Sequence, residues 1–318
     1  MRGLWHRRAF RHLTIGLAPL LVLGTVLIVV LSTRFAEAAA PVREATAEAT
    51  ATITQSGLDN GNEVELRWTD SAGEEHLSRV RVPNAGRIRV GSTVTLQYVP
   101  ADPAQVYVGG DATFLRLRTL SFDAFLVALV LVIAITVSAV HVGRRLAAER
   151  RPGHTVPATY ARSRRGLIHR GWLLLTDADR DWWVPVHWDP VLASTLAKTP
   201  CTVHGRPLTD RVVVVEVQGK PIWQSGRKRP VSPRGEVITT ATPWSKAAQR
   251  RTEEAQASSP ASIGRHLRAD AALLAAAPLL GLLWAYLDGS GMAGFAGSTV
   301  LIACLLFWLP SMFGSDPT

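Results

Sequence analysis

Residues 13–32 read LTIGLAPLLVLGTVLIVVLS, an uninterrupted stretch without a charged side chain. At 1.5 Å rise per residue a helix of this length reaches about 30 Å, the thickness of a bilayer's hydrocarbon core. Three further runs share its character: residues 124–140, 271–287 and 291–309 are also free of Asp, Glu, Lys and Arg. Together they predict an integral membrane α-helical protein of about four spans. The third run is closed off by Asp270 and Asp288, which places it at the short end of the spanning range of about 17–25 residues.

Composition agrees. The chain has 318 residues, 47% of them hydrophobic and only 19% charged. A soluble chain of that length would normally form two domains and carry a larger charged surface. Cys201 and Cys304 lie far apart, the second inside an apolar run, so no disulfide framework is expected. Arginine far outnumbers lysine and alanine is abundant, a composition associated with GC-rich bacterial genomes, the actinobacteria among them.

Flanking charge orients the spans, because Lys and Arg beside a membrane segment stay on the cytoplasmic side. Arg2, Arg7, Arg8 and Arg11 precede the first run, and Arg144, Arg145, Arg150 and Arg151 follow the second. The turn Asp288-Gly289-Ser290 carries no positive charge. Residues 34–118 hold nine Arg against eleven acidic residues, a net of −2. Residues 143–270 hold twenty-two Lys and Arg against eleven acidic residues, a net of +11. The expected order is a basic cytoplasmic N-terminus (1–12), span one (13–33), an extracytoplasmic β domain (34–118) and span two (119–142). A cytoplasmic β domain (143–225), a basic linker (226–268), spans three and four (269–288 and 291–310) and a cytoplasmic tail (311–318) follow. The expectation is a multi-pass protein of the bacterial plasma membrane with both termini inside. Ala36-Glu37-Ala38 resembles a signal-peptidase site, but the apolar run before it exceeds the roughly 7–15 residues of a cleaved signal. An uncleaved anchor is expected.

Both water-exposed segments read as β-rich, as small barrels or sandwiches. In the first, Asn62, Val64, Leu66 and Trp68 alternate with Glu63, Glu65, Arg67 and Thr69, and Val94, Leu96 and Tyr98 alternate with Thr93, Thr95 and Gln97. This is the period-two pattern of half-buried strands. Ser71-Ala72-Gly73 turns the chain into 77–82, and Pro100-Ala101-Asp102-Pro103 interrupts pairing before Val106-Tyr107-Val108. About five short strands result. In the second segment, 172–176 and 182–188 flank Asp177-Ala178-Asp179-Arg180-Asp181 as a hairpin. Further strands are expected at 199–205, 212–217 and 221–224. The Val212–Val217 run is apolar at nearly every position, as in a strand buried on both faces. Residues 49–70 and 158–177 are loosely alike in spacing, which raises a duplication of β domain plus span. From residue 226, Pro, Gly and Ser punctuate a linker, with a short helix expected after Pro243.

Glu63-Val64-Glu65-Leu66-Arg67-Trp68, Asp70-Ser71-Ala72-Gly73, Gly91-Ser92-Thr93-Val94-Thr95-Leu96-Gln97-Tyr98 and Pro100-x-Asp102-Pro103 resemble the domain-of-unknown-function 3592 family. These are membrane-tethered β modules whose Gly-x-x-Val-x-Val-x-Tyr-x-Pro-x-x-Pro stretch leads into a membrane helix. Leu96 stands where that pattern has its second Val. The resemblance covers roughly residues 45–110 and implies a fold and a location, with no activity and no catalytic residues.

Chemistry-bearing candidates fall away one by one. Gly289, Gly291 and Gly294 spell Gly-x-Gly-x-x-Gly, but between two apolar helices rather than in a βαβ unit, where a tight turn and close packing explain them. Cys201 and His204, with His187, invite zinc, yet residues three apart on a strand face opposite ways, and a structural site needs four ligands. Glu63 and Glu65 read as a solvated strand face, and Ser225-x-x-Lys228 lacks the partner motifs of its chemistry. No catalytic, metal or cofactor set is expected. The spans lack central ionisable residues, which argues against ion-coupled transport. Pro19 and Pro278 are candidate kinks, and Ala277/Gly281 and Ala293/Gly297 candidate helix contacts.

The remaining signal is basic. Arg144, Arg145, Arg150, Arg151, Arg162, Arg164, Arg165, Arg227, Lys228 and Arg229 would face a leaflet of anionic lipid headgroups. There each Lys or Arg near the surface gains about 1 kcal/mol. Nucleic acid is the lesser reading, because Trp182, Val184, Val186 and Trp188 share one strand face and read as core, not as a stacking platform. Three function classes stay open. The first is a non-enzymatic envelope protein linking the two β modules as adaptor, assembly factor or sensor. The second is a small transporter or channel subunit, and the third a membrane-bound hydrolase with an unrecognised site.

Overall fold

The computed structural model describes residues 7–165, 168–177, 180–195, 198–239 and 271–314. The helix expected after Pro243 lies outside them. Among the described residues three helices are long and apolar enough to cross a membrane: α1 (Arg8–Glu44), α2 (Ala112–Glu149) and α4 (Gly291–Phe313). The fourth apolar segment is shorter. A 3₁₀ turn, Ala271–Ala276, leads into α3 (Ala277–Asp288), and Pro278 lies in that helix's first turn, where its missing N–H costs nothing. Pro278 therefore starts a helix rather than kinking one. α1 and α2 overrun their apolar cores at both ends, since a charge ends an apolar run without ending a helix.

The chain divides into two compact units, residues 25–130 and residues 1–24 with 131–318. The first unit carries β1 (Ala47–Gly57), β2 (Glu63–Thr69), β3 (Glu75–Arg81), β4 (Thr93–Val99) and β5 (Asp102–Val108), all antiparallel, in the order β3-β2-β1-β4-β5. Three meandering strands with a fourth returning beside the first make a Greek key, and β3 approaches β5 so that the sheet curls towards closure. Its core is Ala51, Ile53, Val64, Leu66, Trp68, Val80, Leu96, Tyr98 and Val108, the inward positions of the alternation, with Ala85 from the turn between β3 and β4. Gly91 holds φ +84°, a conformation that favours glycine. Here its N–H reaches the Ile53 oxygen at 2.8 Å and the Ser92 oxygen accepts from Ile53. Joints to the helices are short and bonded. Asp111, 2% exposed, accepts from Phe114 N at 2.9 Å and Val108 N at 3.0 Å, which caps α2 and ties it to β5.

The second unit carries β6 (Gly153–Arg165), β7 (Ile168–Asp177), β8 (Arg180–Val186), β9 (Thr199–His204), β10 (Val214–Val217), β11 (Lys220–Trp223) and β12 (Glu236–Thr239). The order is β11-β10-β9-β6-β7-β8, with β12 on the far half of β6. The segment after β11 then pairs with β8: Trp183 and Arg229 exchange both backbone bonds, at 2.7 and 2.9 Å, and Ser225 N donates to Pro185 O at 2.8 Å. The sheet is thereby closed into a barrel around Val156, Tyr160, Leu173, Leu175, Val184, Val186, Val203, Val213, Val215 and Val217. Val214 is also fully buried, on the outer face opposite Trp223, so the valine run is covered on both sides.

The two modules share a topology through five strands. Each has a meander, a 3₁₀ turn (Ala85–Arg87 or Pro190–Ser194) and a strand returning beside the first. Within the second unit α1, α2 and α4 pack closely. A Cβ on Gly16 would lie 2.3 Å from Ser311 Oγ, and Trp308 Nε1 donates to Ser138 Oγ at 3.1 Å.

Candidate functional site

In the second unit the end of α2 is clamped to the barrel. Arg145, 6% exposed, donates from Nε to the Gln224 oxygen at 2.6 Å and from Nη1 to the His141 oxygen at 2.7 Å. One turn on, Glu149 accepts from Trp223 Nε1 at 2.6 Å and pairs with Arg7. Arg7 also lies over the Trp223 ring at 5.7 Å and Arg8 over Trp188 at 4.6 Å. Two arginines of the N-terminal basic cluster therefore pack on barrel tryptophans.

Beside this clamp runs a groove of about 410 Å³. One wall is a single stripe of α2: Thr136 and Val137, then Val140 and His141, then Arg144 and Arg145. The three-to-four-residue spacing puts them on one helix face, which turns from apolar to basic in two turns. The other wall is Arg211 and Val212, and Gln224, Ser225, Gly226 and Arg227 form the floor. Gln224, 2% exposed, organises this side. Its Oε1 accepts from Val213 N at 2.9 Å, and its Nε2 donates to the oxygens of Arg211 at 3.4 Å and Gly226 at 2.5 Å. That amide fixes the two backbone segments from which Arg211 and Arg227 project. Ser225 Oγ is buried and has no hydrogen-bond partner among the described residues. Arg144, Arg211 and Arg227 are exposed, and among the described residues no ion pair engages them.

The sequence-selected arginines thus separate. Arg144, Arg145 and Arg227 meet at the groove, although Arg145 spends two donors on main-chain oxygens. Arg211, absent from the sequence selection, joins them. Arg150 is exposed, and Arg151 pairs with Asp210 at 3.1 Å. Arg162 lies over Tyr160 at 5.9 Å, and exposed Arg164 stands opposite Glu236 in the β6–β12 register. Arg165 is the last residue of β6. Lys228 donates to the Pro207 oxygen and lies over Trp182 at 5.0 Å, with burial lowering its pKa, while Arg229 lies over Trp172 at 5.9 Å.

Other candidates are accounted for by structure. Cys201 faces the barrel core, where burial raises its pKa. His204 faces away, with Nδ1 3.0 Å from the Arg151 oxygen and Nε2 3.2 Å from Glu216. Glu63 and Glu65 each lie 3.5 Å from an arginine of β3, Arg81 and Arg79. In the first unit Asp70, Glu74 and His76 bring ligand-type atoms within 4.8 Å of one another. Asp70 is nevertheless engaged by its own turn: Oδ1 accepts from Ala72 N and Glu74 N, and Oδ2 meets His76 Nε2, all at 2.9 Å.

Comparison with protein-family models, with curated proteins and with solved structures found no match.

Proposed function

We propose that the chain is a non-enzymatic membrane adaptor or sensor of a bacterial envelope, with the first β module outside, the barrel at the cytoplasmic surface and both termini inside. The observation that carries this reading is the nature of the joints. β1 begins three residues after α1 ends, Asp111 caps α2 directly onto β5, and Arg145 and Glu149 bolt α2 to the barrel. Short bonded joints transmit displacement, whereas a flexible linker would dissipate it. The flanking charge supports the orientation. The likeness of the first module to the domain-of-unknown-function 3592 family supports its assignment as a tethered exported module. The apolar centres of the long helices supply no proton or ion relay, which favours an adaptor over a transporter.

The test is in-cell photocrosslinking from exposed barrel positions, Leu208 and Val231, followed by purification of the full chain. One near-stoichiometric protein partner is the expected outcome. Reproducible turnover of a substrate by the purified protein, abolished by substituting one polar side chain, would overturn the reading.

A further inference from the structure

We propose that the groove between α2 and the barrel is a binding site for one anionic phospholipid, its phosphate held by Arg144, Arg211 and Arg227 and an acyl chain lying along Thr136, Val137 and Val140. The proposal deepens the adaptor reading and rests on its placement of the barrel beside the membrane.

Three observations converge. Arg144, Arg211 and Arg227 come from three separate segments and open on one cavity, and among the described residues no carboxylate pairs with any of them. Guanidinium forks suit phosphate oxygens, which they bind in bidentate pairs. Second, the buried Ser225 Oγ in the floor lacks a partner among the described residues, and a buried hydroxyl without one is costly unless a ligand supplies it. Third, the α2 wall is amphipathic along its length. Val137 and Val140 are 42% and 44% exposed, and one helical turn, about 5.4 Å, separates Val140 from Arg144. A free phosphate has no use for that apolar wall, whereas a lipid places its chain and its phosphate in this order along it.

The full chain would be reconstituted in nanodiscs of mixed phosphatidylglycerol and phosphatidylcholine, extracted in mild detergent, and its retained lipid counted by native mass spectrometry. The Arg144→Gln/Arg211→Gln/Arg227→Gln variant should retain about a hundredfold less phosphatidylglycerol, the scale expected from losing three positive charges beside anionic lipid. An Arg150→Gln/Arg164→Gln/Arg180→Gln variant removes the same charge from exposed positions elsewhere and should retain it like the parent. Val140→Asn should lower retention through the chain alone. Equal losses from the two triple variants would overturn the site in favour of diffuse attraction. Displacement by millimolar inorganic phosphate, together with indifference to Val140→Asn, would overturn the lipid in favour of a soluble phosphate ligand. Should the triple variant not fold, Arg227→Glu on the exposed loop is expected to lose the lipid on its own, and full retention in it would overturn the site. The Val231→Cys variant, labelled by an impermeant thiol reagent in inverted but not right-side-out vesicles, tests the orientation separately. Labelling from outside would refute the topology while lipid retention still decides the groove.

Discussion

Arg145 Nε and the Gln224 main-chain oxygen are 2.6 Å apart, and both residues are buried. The bond joins the end of a membrane-length helix to the segment after β11 that closes the barrel. Replacing the guanidinium leaves the buried Gln224 oxygen without its donor, while the His141 oxygen keeps its in-helix N–H partner, and hydrogen bonds to charged groups are worth about 1.5–3 kcal/mol each. Arg145→Gln should therefore destabilise the second unit by about 1.5–3 kcal/mol. The denaturant midpoint of tryptophan fluorescence in detergent would measure it. A midpoint equal to the parent's would mean that the clamp carries no stability.

His204 gives the barrel a pH dependence whose sign can be worked out. Its ring faces the Arg151 oxygen, the larger influence, and Glu216, and both favour the protonated form, so its pKa is raised above the ordinary 6.5. A group whose folded pKa is raised contributes fully below its unfolded pKa and loses that contribution as pH rises through the folded value. The parent should thus be more stable than His204→Asn below pH 6.5, and the gap should close at pH values above it. Unfolding midpoints across that range test this, and a gap that widens with rising pH would refute it.

Much of the β architecture was legible in the sequence. Val64, Leu66 and Trp68 and then Leu96 and Tyr98 point inward as the alternation requires, and the valine run is buried on both faces. β1 was harder to read, because Ala47-Glu48-Ala49-Thr50-Ala51-Thr52 offers nothing larger than Ala on its inward side although the strand is central. β12 pairs from within the Pro- and Gly-punctuated stretch after 226. Its burial alternates only between exposed and intermediate, so no apolar period announces it. The groove was half legible. Basic clusters stand out in sequence, but neighbours on a helix lie about 100° apart, so adjacent Arg144 and Arg145 have opposite fates, one exposed and one buried. A lone arginine such as Arg211 carries no local signal. Only barrel closure, through pairing of residues remote in sequence, brings it to Arg144 and Arg227.

Asp70 predicts the opposite pH response in the first unit. Its bond with His76, then the turn amides of Glu74 and Ala72, hold its pKa below the usual 3.8. A depressed pKa gives stability that is present above the unfolded value and lost as pH falls through the folded one. Removing the main cause with His76→Gln should move acid unfolding of this unit to higher pH. Trp68, whose ring stacks on His76 at 4.7 Å between centroids, is the fluorescent reporter. An unchanged acid midpoint would show that the turn amides alone hold the carboxylate.

The α3–α4 hairpin depends on one absent side chain. A Cβ on Gly281 would lie 2.9 Å from the backbone Cα and N of Thr299, a separation that only backbone displacement relieves. Ser298 Oγ lies 3.1 Å from the Gly281 oxygen across the same contact and 2.7 Å from the Gly294 oxygen of its own helix, so the two helices meet there at hydrogen-bonding distance. Small residues that let helix backbones approach are the usual basis of packing within membranes. Ala293, by contrast, is exposed. Gly281→Ala should therefore cost about 1–3 kcal/mol, the range for forcing extra volume into a packed contact, while the larger change Ala293→Leu should cost little. Thermal unfolding in detergent compares the two. If Ala293→Leu proved the more damaging, the tight contact between these helices would lie at Ala293 rather than at Gly281.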